Sequence, residues 1–321
     1  KVKITDKFWK EKAEIVRTEV IPYQWNALND KIENAEPSYS IRNLRLAAEC
    51  IEKRKKGINT STFPTNEWHY TPNRKNKNSF YGWIFQDSDL YKWLEAVSYS
   101  LRNTADNQLE TLADEAIELI CNAQAENGYI NSFYTINNPE KAFTNLRDHH
   151  ELYCFGHLAE AAVAYYNTTG KSRLLNAACR FADLLCEEFG ENGKPGYGGH
   201  EIAEMALIKL YEATSEEKYL NLAKLFIDRR GTKPYYFDIE HNQNSGSKLN
   251  YFYNQAHLPV REQREAAGHA VRAVYLYSGM ADTARYTDDK ELFNTCQTIF
   301  NDITERKMYI TGGIGSTKDG E

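Results

Sequence analysis

Apolar residues recur every three or four positions over most of this chain, and this spacing predicts amphipathic α-helices. The clearest example runs from Asp87 to Leu101, where Asp87, Ser88 and Asp89 are available as N-cap residues. Alternation typical of strands is scarce. The pattern predicts ten helices, at residues 8–18, 41–52, 87–101, 109–123, 152–166, 174–189, 202–211, 219–227, 270–280 and 292–303.

The predicted helices form consecutive pairs with degenerate internal repetition. An aromatic residue ends one helix, Thr marks the turn, and a helix rich in Leu and Ala follows, as residues 164–169 and 210–214 illustrate. The period varies between roughly 45 and 75 residues because loops are inserted at one end of the pairs. We therefore expect an all-α toroid of helical hairpins. An (α/α)6 barrel needs six pairs, so the five visible pairs predict one catalytic domain over residues 1–321, truncated before its last helix pair.

Two insertions interrupt the helical pattern. Residues 53–79 are polar and locally basic, which favours a solvated loop over an anion-binding site. Residues 231–259 are longer than an ordinary connection and rich in Tyr and Phe. This second insertion is a candidate lid or substrate-facing loop.

Composition narrows the class of function. The 321 residues include 41% hydrophobic residues and carry a formal net charge of -6, which disfavours nucleic acid as a partner. No apolar run approaches the roughly 18 residues of a membrane span. Six cysteines are spread singly without a CxxC motif, at positions 50, 121, 154, 179, 186 and 296. This spacing predicts free core thiols in a reducing compartment, and hence a cytoplasmic protein.

Three histidines stand out by their position. His150, His200 and His269 each lie at or just before the start of a predicted helix, in successive pairs. Equivalent helix starts face one mouth of a toroid, so we expect the three imidazoles and the neighbouring Glu151 and Glu201 to converge. Such a cluster could hydrogen-bond a polyhydroxylated ligand or bind a metal. Taken singly, each histidine is better explained as a helix cap or a core hydrogen-bonding group, and it is their recurrence that favours a site.

Three common motifs, one catalytic and two nucleotide-binding, are absent. Neither His150 nor His200 has a second histidine four residues later, so the HExxH arrangement of zinc proteases is missing. The glycine-rich segment 311–318 matches neither GxxxxGK[ST] nor GxGxxG. It lets backbone approach a ligand closely, and the segment that follows it ends in Gly320 and Glu321, which carries a carboxylate.

A set of motifs, in order along essentially the whole chain, resembles the glycoside hydrolase family 127 β-L-arabinofuranosidases. The motifs are Phe8-Trp9, Ile21-Pro22-Tyr23-Gln24-Trp25, Phe85-Gln86-Asp87-Ser88-Asp89, Asn127-Gly128-Tyr129, His150-Glu151, Gly156-His157, Gly199-His200-Glu201, Gly268-His269-Ala270-Val271-Arg272, Met308 to Ser316 and Gly320-Glu321. The resemblance implies an (α/α)6 catalytic barrel, followed in the full family by β-sandwich domains. It also implies release of β-L-arabinofuranose with retention of configuration.

The resemblance further implies roles for individual residues. Glu321 matches the general acid/base of the family, whose nucleophile is a zinc-bound cysteine thiolate. The residues that match substrate-binding positions are His150, His200, His269, Phe85, Gln86 and Asp87. In the family, the zinc ligands and the nucleophilic cysteine follow the Gly-Glu motif. We therefore expect zinc in the full-length enzyme, with ligands beyond residue 321, no metal ligand within this chain, and no activity of this chain alone.

The expected partner is a glycan that contains L-arabinofuranosyl groups, with no nucleic acid and no membrane, and a homodimer is left open. Two alternatives remain at this stage. One is a helical-repeat scaffold that binds a protein on a concave surface. The other is a different (α/α)6 enzyme acting on pectin side chains; among these, a lyase is disfavoured because basic residues are sparse near the helix starts.

Overall fold

The computed structural model describes residues 4–60, 69–70, 78–241, 250–316 and 320. Within this part of the chain the fold is all-α, as expected. The helices are α1 (Lys7–Ile15), α2 (Ile21–Leu28), α3 (Ser40–Lys55), α4 (Asp87–Asn103), α5 (Asn107–Asn122), α6 (Ser132–Asn137), α7 (Glu151–Thr169), α8 (Arg173–Phe189), α9 (Ala203–Thr214), α10 (Glu217–Arg229), α11 (Tyr236–Glu240), α12 (Ala270–Thr287) and α13 (Lys290–Asp302). Two short strands, β1 (His69–Tyr70) and β2 (Gly82–Trp83), pair antiparallel.

Local sequence explains where several helices begin. Asp6, Asp106 and Asp289 are N-cap residues whose carboxylates accept backbone N–H groups in the first turns of α1, α5 and α13. Each carboxylate accepts hydrogen bonds from N–H groups that lack an intrahelical partner, and its negative charge interacts favourably with the positive end of the helix dipole. The amphipathic pattern then continues until polar residues or a turn end the helix.

The chain divides into two compact units. Unit 1 comprises residues 1–142 and 157–181, and unit 2 comprises residues 143–156 and 182–321. In unit 1, α4 packs against α2, α3 and α5, and α3 also packs on α6. In unit 2, α9, α10 and α12 pack on one another and α13 packs on α12. The expectation of one domain over residues 1–321 stays a prediction.

The core of unit 2 is an apolar cluster contributed by α10, α12, α13 and the loop before α12. Its fully or nearly buried members are Ile227, Val260, Ala273, Leu276, Tyr277, Met280, Ala284, Leu292 and Ile299. Removing this surface from water stabilises the unit by about 25 cal/mol per Å² of apolar area. Helix α12, whose first residue follows His269, is therefore held by a packed core.

Three features were not predicted from the pattern. A π-helical turn at Val16–Val20 joins α1 to α2, so helix continues past the predicted end at residue 18. The short helices α6 and α11 were missed because five or six residues are too few to display a helical period. Helix α11 lies inside the aromatic insertion 231–259, where Tyr236 and Phe237 are buried.

The basic insertion is only partly described. Residues 61–68 and 71–77 lie outside the described residues, so the choice between a solvated loop and an anion site is not tested there. In the described part, Lys53 and Lys55 pair with carboxylates of α3, and Arg54 donates to the carbonyl oxygen of Thr135 at 2.5 Å.

Two observations concern the predicted cytoplasmic, non-membrane location: the state of the cysteines and the character of the helices. All six cysteines are free thiols; Cys50 and Cys154 are buried as core thiols, whereas the other four are only half-buried. None of the helices in the described part of the chain combines the length and the apolar character needed to cross a membrane. The cytoplasmic location stays a prediction.

Candidate functional site

The structure brings His150, His200 and His269 together in unit 2. His150 directly precedes α7, His200 lies three residues before α9, and His269 is the N-cap residue of α12. The ring centroids of His150 and His200 are 5.5 Å apart, and those of His200 and His269 are 5.8 Å apart. All three side chains are buried. The position at helix starts therefore correctly predicted that the imidazoles lie close to one another.

Backbone carbonyl groups fix the tautomers of His150 and His200. Nδ1 of His150 lies 2.5 Å from the carbonyl oxygen of Asp148, and Nδ1 of His200 lies 2.9 Å from that of Glu201. A carbonyl oxygen can only accept a hydrogen bond, so Nδ1 carries the hydrogen in both rings. Nε2 of each neutral ring is consequently a hydrogen-bond acceptor.

His269 has the opposite arrangement. Its Nδ1 accepts the backbone N–H of Arg272 at 3.5 Å, which caps α12. An accepting Nδ1 places the hydrogen of a neutral ring on Nε2. The cluster thus provides two acceptors and one donor. Hydroxyl groups both donate and accept, so a polyol can satisfy all three, whereas a carboxylate or phosphate oxygen can only accept.

Burial keeps two of these rings neutral. Desolvation lowers the pKa of His150 to about 3 and places the pKa of His200 well below its ordinary value. The positive charge of Arg272 lowers both pKa values further. The site therefore offers neutral imidazoles at physiological pH, which suits an uncharged ligand.

Aromatic rings surround the histidines. The rings of Tyr153 and Tyr275 lie 4.4 and 6.2 Å from that of His200, and the ring of Tyr253 lies 5.4 Å from that of His269. Tyr253 comes from the aromatic insertion predicted to face substrate. Tyr153 and Tyr275 were missed because each lies at helical core spacing, which is more often a sign of packing than of a site.

A buried cluster of one arginine and two glutamates includes Glu201, the residue that follows His200. Nη1 of Arg230 is 2.8 Å from Oε1 of Glu201, and Nη2 of Arg230 is 3.2 Å from Oε1 of Glu204. Burial raises the pKa of Glu201 to about 8, although Arg230 opposes this shift. Sequence reasoning missed Arg230 and Glu204, since nothing in the local pattern distinguishes them from surface charges of α9 and α10.

The other predicted binding residues, Phe85, Gln86 and Asp87, lie in unit 1 at the start of α4. The carboxylate of Asp87 accepts the backbone N–H of Ser132 at 2.7 Å and its hydroxyl at 2.5 Å. Burial raises the pKa of Asp87 to about 6. The ring of Phe85 stacks on that of Trp83, with 5.6 Å between centroids. That these residues share a mouth with the histidines stays a prediction.

Unit 1 also contains a cavity of about 840 Å³ beside this segment. Its lining residues include Gln86, whose Oε1 accepts the backbone N–H of Trp83 at 3.1 Å and whose amide donates to Asp89. Both polar groups of the Gln86 side chain are thus occupied within unit 1. The backbone around this side chain is held by the same contacts.

Glu321, the predicted general acid/base, lies outside the described residues. The residue before it is tied to the histidine cluster, because the backbone N–H of Ala270 donates to the carbonyl oxygen of Gly320 at 2.8 Å. The glycine-rich segment forms a turn in which Gly312 donates to Tyr309. Part of the segment and the start of α12 line a cavity of about 450 Å³ in unit 2.

The described residues do not fit a zinc site. No three His, Cys, Asp or Glu side chains in this part of the chain are arranged to hold a metal ion. The histidines themselves use Nδ1 in contacts with backbone, as described above. The expectation that zinc is held by residues beyond 321 is not tested by this arrangement.

Comparison with known proteins gives consistent matches over the whole chain. The family described as β-L-arabinofuranosidase, GH127 catalytic domain, matches residues 1–321. A non-reducing end β-L-arabinofuranosidase of Bifidobacterium longum subsp. longum is 37% identical over 345 residues, which cover 100% of this chain and 49% of that protein.

Solved structures agree. A GH127 β-L-arabinofuranosidase from Geobacillus stearothermophilus T6 is 48% identical with a TM-score of 0.87, and covers 100% of this chain and 48% of its own. A second GH127 β-arabinofuranosidase is 35% identical with a TM-score of 0.80, over 100% of this chain and 45% of its own. The chain thus spans about half the length of the relatives it matches.

Proposed function

Because this chain belongs to the GH127 family of β-L-arabinofuranosidase catalytic domains, we propose that it forms the sugar-binding part of a glycosidase. The substrate is a glycan that ends in β-L-arabinofuranose, and the reaction hydrolyses the glycosidic bond with retention of configuration. The enzymes similar to this chain over its full length support this substrate class. The histidine cluster binds the released sugar.

The observation that carries the proposal is the hydrogen-bonding pattern of the three histidines. The Nδ1 contacts make Nε2 the accepting nitrogen of His150 and His200 and place the hydrogen of a neutral His269 ring on Nε2. Burial keeps the first two rings uncharged. Arabinofuranose is neutral and carries hydroxyl groups that both donate and accept. A buried polar group left without a partner is costly, so this pattern discriminates against ligands that lack those hydroxyl groups.

We assign Glu321 as general acid/base. In a retaining mechanism this group protonates the leaving oxygen and later activates water. The hydrogen bond between Ala270 and Gly320 supports the assignment, since it ties the backbone next to Glu321 to the residue that follows His269. Zinc and the cysteine nucleophile then belong to residues that this chain does not contain.

The first experiment replaces His200 or His269 with Ala in the full-length enzyme. Each change should lower kcat/KM by at least about 2 kcal/mol in transition-state terms, since each removes a polar contact to the sugar. Thr298→Ala, at an exposed residue of α13 whose hydroxyl donates to the carbonyl oxygen of Asn294 in the same helix, is the control and should leave kcat/KM within about twofold. Unchanged kinetics for both site variants would reject sugar binding by the cluster.

A second experiment addresses the nucleophile. The 321-residue chain alone should bind no stoichiometric zinc and release no p-nitrophenol from p-nitrophenyl β-L-arabinofuranoside, whereas the full-length enzyme should do both. Metal analysis and absorbance measure the two quantities. Zinc-dependent turnover by the short chain would show that the nucleophile is one of the six cysteines described above.

A further inference from the structure

One peptide group, between Glu201 and Ile202, is held from both sides. Its carbonyl oxygen accepts Nδ1–H of His200 at 2.9 Å, and its N–H donates to Oε2 of Glu204 at 3.2 Å. The side chains of Glu201 and Glu204 are both almost completely buried. The orientation of the His200 ring is therefore coupled to the side chain of Glu204 through a single rigid plane.

This peptide is held in an unfavourable conformation. Ile202 has φ of 148°, a region that residues with a Cβ rarely adopt and that is especially unfavourable for a β-branched side chain. Gly156 of α7 makes room for it, since a Cβ at position 156 would lie 2.5 Å from Cγ2 of Ile202. Strain of this kind persists only where the surroundings impose it.

Arg230 supplies much of that constraint. Its guanidinium contacts Glu204 and Glu201, and also donates to the carbonyl oxygens of Gly198 at 2.7 Å and Asn254 at 3.0 Å. The side chain is completely buried. The guanidinium of Arg230 thus fixes the carboxylate of Glu204, which holds the 201–202 peptide. It also fixes the backbone segment that precedes His200, through the carbonyl group of Gly198.

We propose that Glu204 is a positioning residue for His200, acting through the Glu201–Ile202 peptide to keep the imidazole hydrogen on Nδ1 and the Nε2 lone pair for a sugar hydroxyl. The role of the lone pair rests on the proposed function. His200 is the member of the cluster whose ring neighbours both other histidines, so an error in its orientation would affect the whole cluster. A capping role alone would stabilise α9 without controlling the tautomer.

The direct test is ¹⁵N NMR of the full-length enzyme labelled in histidine, with the His200 signals assigned by their loss in His200→Ala. A nitrogen that carries hydrogen is well separated from one that does not. His200 should show a single Nδ1–H tautomer in the wild type and a mixture in Glu204→Ala. Glu204→Gln, which keeps one oxygen for either Ile202 or Arg230, should fall between them. Unchanged His200 signals in both variants would overturn the proposal.

The matched control is Asp289→Ala. Asp289 also accepts a backbone N–H at a helix start, from Leu292, and also pairs with an arginine, Arg261 at 2.5 Å. It should lower stability without changing the His200 signals. An equal change of tautomer in this control would also contradict the proposal, because it would trace the effect to general loosening of the protein.

Kinetics provide an independent readout through a double-mutant cycle. Glu204→Gln should lower kcat/KM at least about tenfold. In the His200→Ala background the same change should have little further effect, because Glu204 acts through that ring. Equal effects in both backgrounds would refute the proposal. If the wild type does not hydrolyse β-L-arabinofuranosides, the proposed function fails, while the NMR comparison still tests the positioning of His200.

Discussion

The predicted binding residues of the two compact units include buried polar groups of different kinds. In unit 1, Asp87 is a carboxylate held by the N–H and hydroxyl groups of Ser132, and burial raises its pKa to about 6. In unit 2, His150 and His200 are bases, and burial lowers the pKa of each. Desolvation thus favours the neutral form in both units, although it moves the two kinds of pKa in opposite directions.

The units also differ in the partners of their buried polar groups. In unit 2 the guanidinium of Arg230, which stays charged, contacts both Glu201 and Glu204. In unit 1 the carboxyl group of Asp87 accepts the neutral N–H and hydroxyl donors of Ser132. The difference teaches that unit 2 can hold its neutral imidazoles in fixed tautomers because a buried ionic cluster fixes the backbone, and it predicts which substitutions each unit tolerates.

The largest effect should come from Arg230→Ala. It removes the buried guanidinium that contacts both Glu201 and Glu204, and loss of one partner of a buried pair costs about 3 to 5 kcal/mol in free energy of unfolding. Urea unfolding measures the change. Arg261→Ala, which removes a partly exposed arginine from its carboxylates, should cost about 1 kcal/mol or less. Equal losses would remove the distinction between the cluster and ordinary ion pairs.

Gly156→Ala should be next, at about 3 kcal/mol, because the new Cβ would meet Ile202 at 2.5 Å and overpack the start of α9. Gly313→Ala is the control, since a Cβ there meets only one atom, at 3.9 Å, and the change should stay within about 0.5 kcal/mol. Thermal unfolding of both variants measures the difference. A neutral Gly156→Ala would show that the contact relaxes without cost.

A fall in pH should destabilise unit 2 through His150. The pKa of His150 is lowered to about 3 from 6.5, so the native state binds fewer protons than the unfolded state between these values, and its stabilisation is lost as pH falls. At pH 5 this loss is about 2 kcal/mol. The raised pKa of Asp87 has the opposite effect, because the native state then binds more protons than the unfolded state. It adds stability as pH falls from about 6 to 3.8.

Hydrogen exchange at pH 7 and pH 5 measures the loss of protection in each unit. Protection in unit 2 should fall, and His150→Gln should remove much of that fall. Unit 1 contains its own buried histidine, His157, whose pKa burial lowers to about 3, so protection there should fall in the wild type and in His150→Gln alike. An unchanged fall in unit 2 of His150→Gln would contradict this role of His150.

The smallest effect should come from Asp87→Asn in unit 1. Asn supplies one oxygen in place of two, so one of the bonds to Ser132 is lost at a cost of about 1 kcal/mol. Asp114→Asn on α5, at a half-exposed carboxylate paired with Lys171, should change stability less. Chemical denaturation compares them, and a larger loss for Asp114→Asn would reverse the ranking.

Much of the fold follows from the sequence because it depends on local information. Ten predicted helices correspond to helical segments of the structure, since an apolar face repeats over two or more turns in each. The convergence of His150, His200 and His269 also followed from a local signal, their place at helix starts. Features that depend only on the helical period and on position relative to a helix start could therefore be predicted from the sequence.

The rest depends on contacts between distant residues. Arg230 and Glu204 are 26 positions apart and look like ordinary charged residues of two helices. The positive φ of Ile202 has no sequence signal, because a β-branched residue is the least expected there. Chemistry that depends on such pairs becomes visible only when the chain is folded.

The contact between Gly156 and Ile202 also constrains how this chain can change over generations. An alanine at position 156 becomes acceptable only after residue 202 has lost its branched side chain, whereas a glycine at 202 could arise first without a clash. The order of the two substitutions is therefore fixed by geometry. Among descendants of one ancestor, lineages that carry a larger residue at 156 should carry a smaller one at 202. Large residues at both positions of one sequence should not occur.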